Sequence, residues 1–139
     1  MSEEEDTEAR LVRMTDDNGN GTSEFAGVMA DVAEIIQKAY EKYVDTNEYE
    51  LYVEDSPCIY NEGLPVEYAK QCYLVVLINR KTGYHEGLGK IAYADDCWTN
   101  VSDEEKENGY VLVYAYDDIR KDAEELFRDW AKEEAEEDE

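Results

Sequence analysis

The sequence contains no run approaching the ~20 consecutive apolar residues that a membrane-spanning helix requires. Its first residues, Ser2-Glu3-Glu4-Glu5-Asp6, supply neither the basic segment nor the apolar segment of a secretory signal. Both absences lead to the expectation of a cytoplasmic protein. Cysteine is scarce: Cys58, Cys72 and Cys97 are odd in number and widely spaced, which suits reduced thiols rather than a disulfide framework. Histidine occurs once, as His85. Cationic side chains are few, 13 Lys and Arg against 37 Asp and Glu, a net charge of −24 in 139 residues. Direct binding to nucleic acid phosphates or to an anionic membrane is therefore disfavoured, and a basic partner is favoured.

What remains is apolar enough to fold. Hydrophobic residues make up 42% of the chain, and clusters of Tyr, Val, Ile and Leu exclude a disordered acidic tail. The acidity is spread over the whole length: residues 1–21 carry net −5, residues 22–102 net −8 and residues 103–139 net −11. A solubilising tail would concentrate it at one end. Halophilic adaptation also produces acidic surfaces, but this chain keeps lysine at many positions, together with Ile, Asn and Tyr. The length suits one domain with a core, without an interdomain linker or an internal repeat.

The hydrophobic periodicity predicts an α+β domain, with a four-stranded antiparallel sheet flanked by an N-terminal and a C-terminal helix in the order α-β-β-β-β-α. Residues 1–21 read as an acidic arm, in which Thr7 to Met14 is compatible with a short helix. The domain occupies 22–132, and 133–139 reads as a frayed acidic tail. Phe25, Val28, Met29, Val32, Ile35, Ile36, Ala39, Tyr40 and Tyr43 recur at three- and four-residue steps, with Ser23 as the expected N-cap. Alternation at 49–54 predicts a half-buried strand, and Ser56 to Gln71 reads as a connection with a short helix near Pro65. Cys72 to Asn79 is the most apolar run and reads as a central strand. Arg80-Lys81-Thr82-Gly83 should turn it back through His85 to Ala94, where Gly87 and Gly89 mark a bulge or a close backbone approach. Tyr110 to Tyr116 is the fourth strand. The last helix starts at Asp117 or Asp118, with Ile119, Ala123, Leu126, Phe127 and Trp130 on its core face.

Several motifs fall short of a chemical site. Asp16, Asn18, Asn20 and Gly21 match the opening of a calcium loop, but Gly27 stands at the twelfth position, where a bidentate Glu is needed. The run reads as a turn. Cys58, Cys72, Cys97 and His85 match a zinc set by count, without the close Cys pairs that preorganise thiolates. Gly87-Leu88-Gly89-Lys90 lacks the Gly-Lys-Ser/Thr of a phosphate loop. Nothing local orients a Cys–His pair for nucleophilic attack. The residues point to neither a cofactor nor an enzyme.

The acids give the one geometric pattern. Asp118, Asp122, Glu125, Asp129 and Glu133 step by four, three, four and four, so they share one stripe of the last helix beside its core face. Asp95, Asp96, Asp103, Glu104 and Glu105 would extend that surface from the loop, with Trp98 as an aromatic anchor. Tyr60, Tyr84 and Tyr93 are further contact candidates among the twelve tyrosines, and Tyr52, Tyr73, Tyr110 and Tyr114 sit at alternating strand positions. In small size, acidity spread over a folded body, high tyrosine and the acidic end Glu133 to Glu139, the chain resembles the acidic DNA-mimic inhibitors of phages and mobile elements, of the anti-restriction and anti-CRISPR type. The resemblance is one of overall character. It implies a non-catalytic inhibitor that occupies the basic nucleic-acid-binding site of a DNA- or RNA-processing protein. An immunity protein or antitoxin against a basic nuclease toxin, and an acidic chaperone for basic proteins, follow from the same charge. A homodimer would double the charged surface.

Overall fold

Arg10 to Arg13 open the structure as an edge strand, β1, in a stretch whose sequence is also compatible with a helix. The computed structural model describes residues 8–55, 58–60, 68–95, 104 and 107–137. After β1 come α1 (Ser23–Tyr43), β2 (Tyr49–Asp55), β3 (Cys58–Tyr60), β4 (Tyr68–Asn79), β5 (His85–Asp95), β6 (Tyr110–Val113) and α2 (Tyr116–Glu137). The sheet runs β1-β6-β5-β4-β2, with β3 also paired to β4, and every pairing is antiparallel.

The α+β class and an antiparallel sheet with two helices stand; the expected α-β-β-β-β-α order holds only roughly, because β1 precedes α1 and the sheet is larger than four strands. Two segments account for the difference. β1 pairs with β6 in the register Leu11↔Leu112, so residues 10–13 belong to the sheet and not to an arm. The adjoining residues fold back through a Thr15↔Gly21 bridge. β3 pairs with the first residues of β4, so part of the expected connection before Cys72 is strand. The short helix expected near Pro65 lies outside the described residues. At the other end α2 continues through Glu137, beyond the boundary expected at residue 132.

Both helices cover one face of the sheet. Phe25, Val28, Val32, Ile36 and Tyr40 of α1 and Ile119, Ala123 and Phe127 of α2 join Val12, Val75, Leu77, Ile91, Val111 and Val113 in a single core. Aromatic pairs tie the layers together: Tyr73 stacks on Tyr93 at 5.1 Å, and Tyr49 meets Trp130 edge-on at 5.1 Å. Buried polar tips find partners, with the Tyr40 hydroxyl donating to Tyr49 O and the Trp130 indole N–H to Glu86 Oε2 at 3.1 Å. At Gly89 the β5 backbone passes so close to α2 that a Cβ would sit 3.3 Å from Leu126 Cδ1. The neighbouring register shift at Val75/Val76 is the bulge expected from Gly87 and Gly89.

The cap of α1 is Thr22, one residue before the expected Ser23. Its Oγ1 accepts from the Phe25 N–H at 3.2 Å while its hydroxyl donates to Arg13 O, tying the helix start to the end of β1. Thr22→Ala removes both contacts and is expected to cost about 1 kcal/mol in urea unfolding. Ser23→Ala should change stability far less. Asn79 organises the β4–β5 turn, its side-chain oxygen accepting from the Lys81 and Thr82 N–H groups at 2.9 and 3.0 Å.

A candidate partner-binding surface on the last helix

α2 carries two unlike flanks on either side of its core face. Ile119, Ala123 and Phe127 are fully buried, with Leu126 and Trp130 packed beside them. At about 100° per residue, Asp118, Asp122, Glu125, Asp129 and Glu133 fall within one narrow stripe on one side of that face. Four of them are exposed and Glu125 is half-buried. The stripe rises about 22 Å along the helix axis.

The opposite flank holds the cations. Arg120, Lys121 and Arg128 line a shallow depression with Tyr43, Asp117 and Glu124, and this depression meets the acidic stripe at Glu125. Lys42 of α1 reaches across to Glu124 at 2.6 Å, and Arg120 pairs with Asp117 at 2.5 Å. The Lys42–Glu124 contact lowers the Glu124 carboxyl below its ordinary value and raises the Lys42 ammonium above its own. Between the helices lies a groove of about 370 Å³, lined in part by Asp31, Lys38, Lys42, Tyr116 and Glu124. At this groove the Tyr116 hydroxyl donates to Asp31 at 2.9 Å and accepts from Arg10 at 3.0 Å, with the Arg10 guanidinium also 5.2 Å from the Tyr116 ring centroid. Burial raises the Tyr116 phenol above its usual value, and the Asp31 carboxylate raises it further.

Lys42 and Glu124 thus join the two helices, and the acidic stripe is only partly compensated, by Arg128 beside Asp129 and by the charge of Lys121 near Asp122. Among the described residues, Asp118, Asp122, Glu125 and Glu133 have no ion pair within 4.0 Å, and Asp129 reaches only its neighbour Arg128 at 3.7 Å. The Asp122 carboxyl is pushed above the ordinary aspartate value, first by partial desolvation and then by the charges of Glu125 and Asp118. A raised carboxyl costs stability when ionised, and the cost is relieved as pH falls through the folded-state value. Asp122→Asn is therefore expected to stabilise the fold at pH 7 by a few tenths of a kcal/mol, allowing for screening at an exposed site. The difference from the parent protein should vanish below about pH 3.9, where Asp is protonated in both states. Thermal melts at pH 7 and pH 3 check both halves.

The loop acids divide differently. Asp95, expected on the binding surface, is a buried strand residue, 5% exposed, and accepts from the Tyr114 hydroxyl at 3.2 Å. Its pairing opposite Leu112 places it within the sheet, away from an exposed contact surface. Glu104 is exposed. Asp96, Trp98, Asp103 and Glu105 lie outside the described residues. Tyr84 is exposed, as a contact residue should be, whereas Tyr93 is fully buried against Phe25 and Tyr73. The phenol of Tyr93 is driven far above its usual value by that burial and by the nearby Asp55.

The motifs set aside as chemical sites are engaged otherwise. The Asp16 carboxylate accepts from the Asn18 and Asn20 N–H groups, both at 2.9 Å, and so organises its own turn. Cys72 is a buried thiol paired in register with Ala92, while His85 pairs with Ile78. Six strand residues, about 20 Å, separate those two pairings, so Cys72 and His85 do not form a dyad. Among the described residues no group of three or more His, Cys, Asp and Glu is placed to hold a metal ion. No helix there is long and apolar enough to cross a membrane.

No family profile, curated protein or solved structure matches the chain.

Proposed function

We propose that this protein is a non-catalytic inhibitor that lays the acidic stripe of α2 in the basic nucleic-acid-binding site of a DNA- or RNA-processing protein, such as a host-defence nuclease. The observation that carries the reading is the segregation of charge on α2. Asp118, Asp122, Glu125, Asp129 and Glu133 stand in a row whose one ion pair among the described residues is Arg128–Asp129, while Arg120 pairs with Asp117 on the other flank and lines a depression beside Tyr43 of α1. The row places one carboxylate about every 5–6 Å along the axis. One row is sparser than a duplex, which carries a charge about every 1.7 Å when both strands are counted. The exposed Glu24, Glu41, Glu48 and Glu107 and the net charge of −24 add a long-range field that steers a cationic cleft toward it.

The mechanism is steric competition with fast, salt-sensitive association. The immobilised full-length chain should capture a nucleic-acid-binding protein from host extract at low salt and release it to excess duplex or at about 0.5 M salt. Purified together, the two should exclude labelled nucleic acid from the complex. A complex that survives high salt unchanged, or that binds nucleic acid as a third component, would overturn the reading. The second reading, an immunity protein for one basic toxin, draws on Tyr84, an aromatic 69% exposed at the β4–β5 turn and able to anchor a local patch. That reading predicts capture of a single cognate toxin, with binding lost in Tyr84→Ala and little affected by changes to the α2 row.

A further inference from the structure

The sheet has a second face whose apolar residues stand outside the helix-covered core. At one end of it Cys72 is already buried within the protomer, 2% exposed, and beyond Cys72 the face opens. Along β4, Val75 and Leu77 point into the core, so Leu74, Val76 and Ile78 point the other way, and these three are absent from the core cluster. They are only half-buried. Cross-strand partners share a face, so the register gives three rows on this side: Glu50–Ile78–His85, Tyr52–Val76–Gly87 and Glu54–Leu74–Lys90. Glu50, Tyr52, Glu54, His85, Gly87 and Lys90 are all exposed, Tyr52 to 47%.

We infer that this face is a homodimer interface, closing against the same face of a second copy about a two-fold axis that runs along β4. Such an axis brings β2 of one protomer opposite β5 of its partner and preserves position along the strands. Each row is then self-complementary. Glu54 meets the partner's Lys90 and Glu50 meets the partner's His85. Tyr52, the largest projection on the face, meets the partner's Gly87, which has no side chain. Leu74, Val76 and Ile78 pack on their own counterparts along the axis.

The occupant follows from charge as well as shape. In a chain of net −24 these rows hold two carboxylates, one lysine and one histidine. A second copy, equally acidic, meets only a small net repulsion across these rows, and a polycation finds less to hold here than on the α2 stripe. Glu54 and Lys90 make no ion pair within the protomer among the described residues. β4 separates them by two strand spacings, about 9.6 Å. Dimerisation leaves both helical layers, with their α2 stripes, facing outward.

The test is sedimentation velocity of the full chain over a concentration series at about 0.5 M salt, which screens the net repulsion. The parent protein should be a dimer. Lys90→Glu should weaken association at least about tenfold, because two-fold symmetry counts each contact twice. Glu54→Lys should do the same, and the double variant Glu54→Lys/Lys90→Glu should recover the dimer, a rescue that a folding defect would not give. Val76→Lys, which sets like charges against each other at the axis, should be monomeric with its circular dichroism unchanged. A parent protein monomeric to about 0.2 mM, a dimer indifferent to Lys90→Glu, or a charge swap that fails to restore it would each overturn the inference. In the monomeric case the face is covered by another segment of the chain or by a foreign partner.

Discussion

Gly109→Ala is expected to lower stability by about 3 kcal/mol and the melting temperature by roughly 10 °C. Two effects add at this residue. The backbone holds φ at +86°, in the left-handed region that side chains with a Cβ rarely adopt. A Cβ built there would also overlap Thr15 Oγ1 and stand 2.6 Å from Thr15 O. Thr15 cannot move away cheaply, because the Gly109 carbonyl accepts from the Met14 N–H at 2.7 Å and from the Thr15 N–H at 3.4 Å. This contact locks the end of β1 to the start of β6. The damage should therefore appear first as loss of amide protection in residues 10–15, measured by hydrogen exchange. Thr15→Ala should not rescue the variant, since the clash includes a backbone oxygen. Full stability in Gly109→Ala would show that the β1–β6 junction is not built in this way.

That junction is also where the sequence is least legible. Arg10-Leu11-Val12-Arg13 is only four residues long, with a cation at each end, and no local signal fixes it as a strand. Its place is set by pairing with residues about a hundred positions away, and by the Arg10 guanidinium docking on Tyr116. Asp95 and Tyr93 depart from expectation for a related reason. Both lie at the end of β5 beside the register shift at Gln71/Cys72, where a loop boundary inferred from polarity falls inside the sheet. The helices, by contrast, are readable, because burying one apolar stripe fixes the whole circumference. The acidic row of α2 is legible in the spacing of its acids for the same reason. The cross-helix pairing of Glu124 is not, since Lys42 reaches it from 82 positions earlier. The second sheet face does leave a signal in the sequence: Cys72 to Asn79 is apolar at both alternations, the pattern of a strand buried on both sides.

The largest functional effect should come from neutralising the row with Asp118→Asn, Asp122→Asn, Glu125→Gln and Asp129→Asn together. Exposed ionic contacts contribute about 0.5–1 kcal/mol each, so partner binding should weaken by roughly a hundredfold. Most of the loss in association rate should disappear at about 0.5 M salt, where steering is screened in both proteins. Stability should move the opposite way. Four like-charge neighbours along the helix are relieved, Asp118–Asp122, Asp122–Glu125, Glu125–Asp129 and Asp129–Glu133, for a gain of about 1 kcal/mol. These opposed signs separate a binding surface from a structural one, since acids that supported the fold would lower stability and binding together. Net charge alone is a rival cause, and a matched variant isolates it. Glu24→Gln, Glu41→Gln, Glu48→Gln and Glu107→Gln remove four exposed charges elsewhere, leaving the same total charge and the α2 stripe intact. If that control loses binding as steeply, the partner responds only to the field of the whole protein. If it retains most of its affinity, the stripe of α2 is the contact surface.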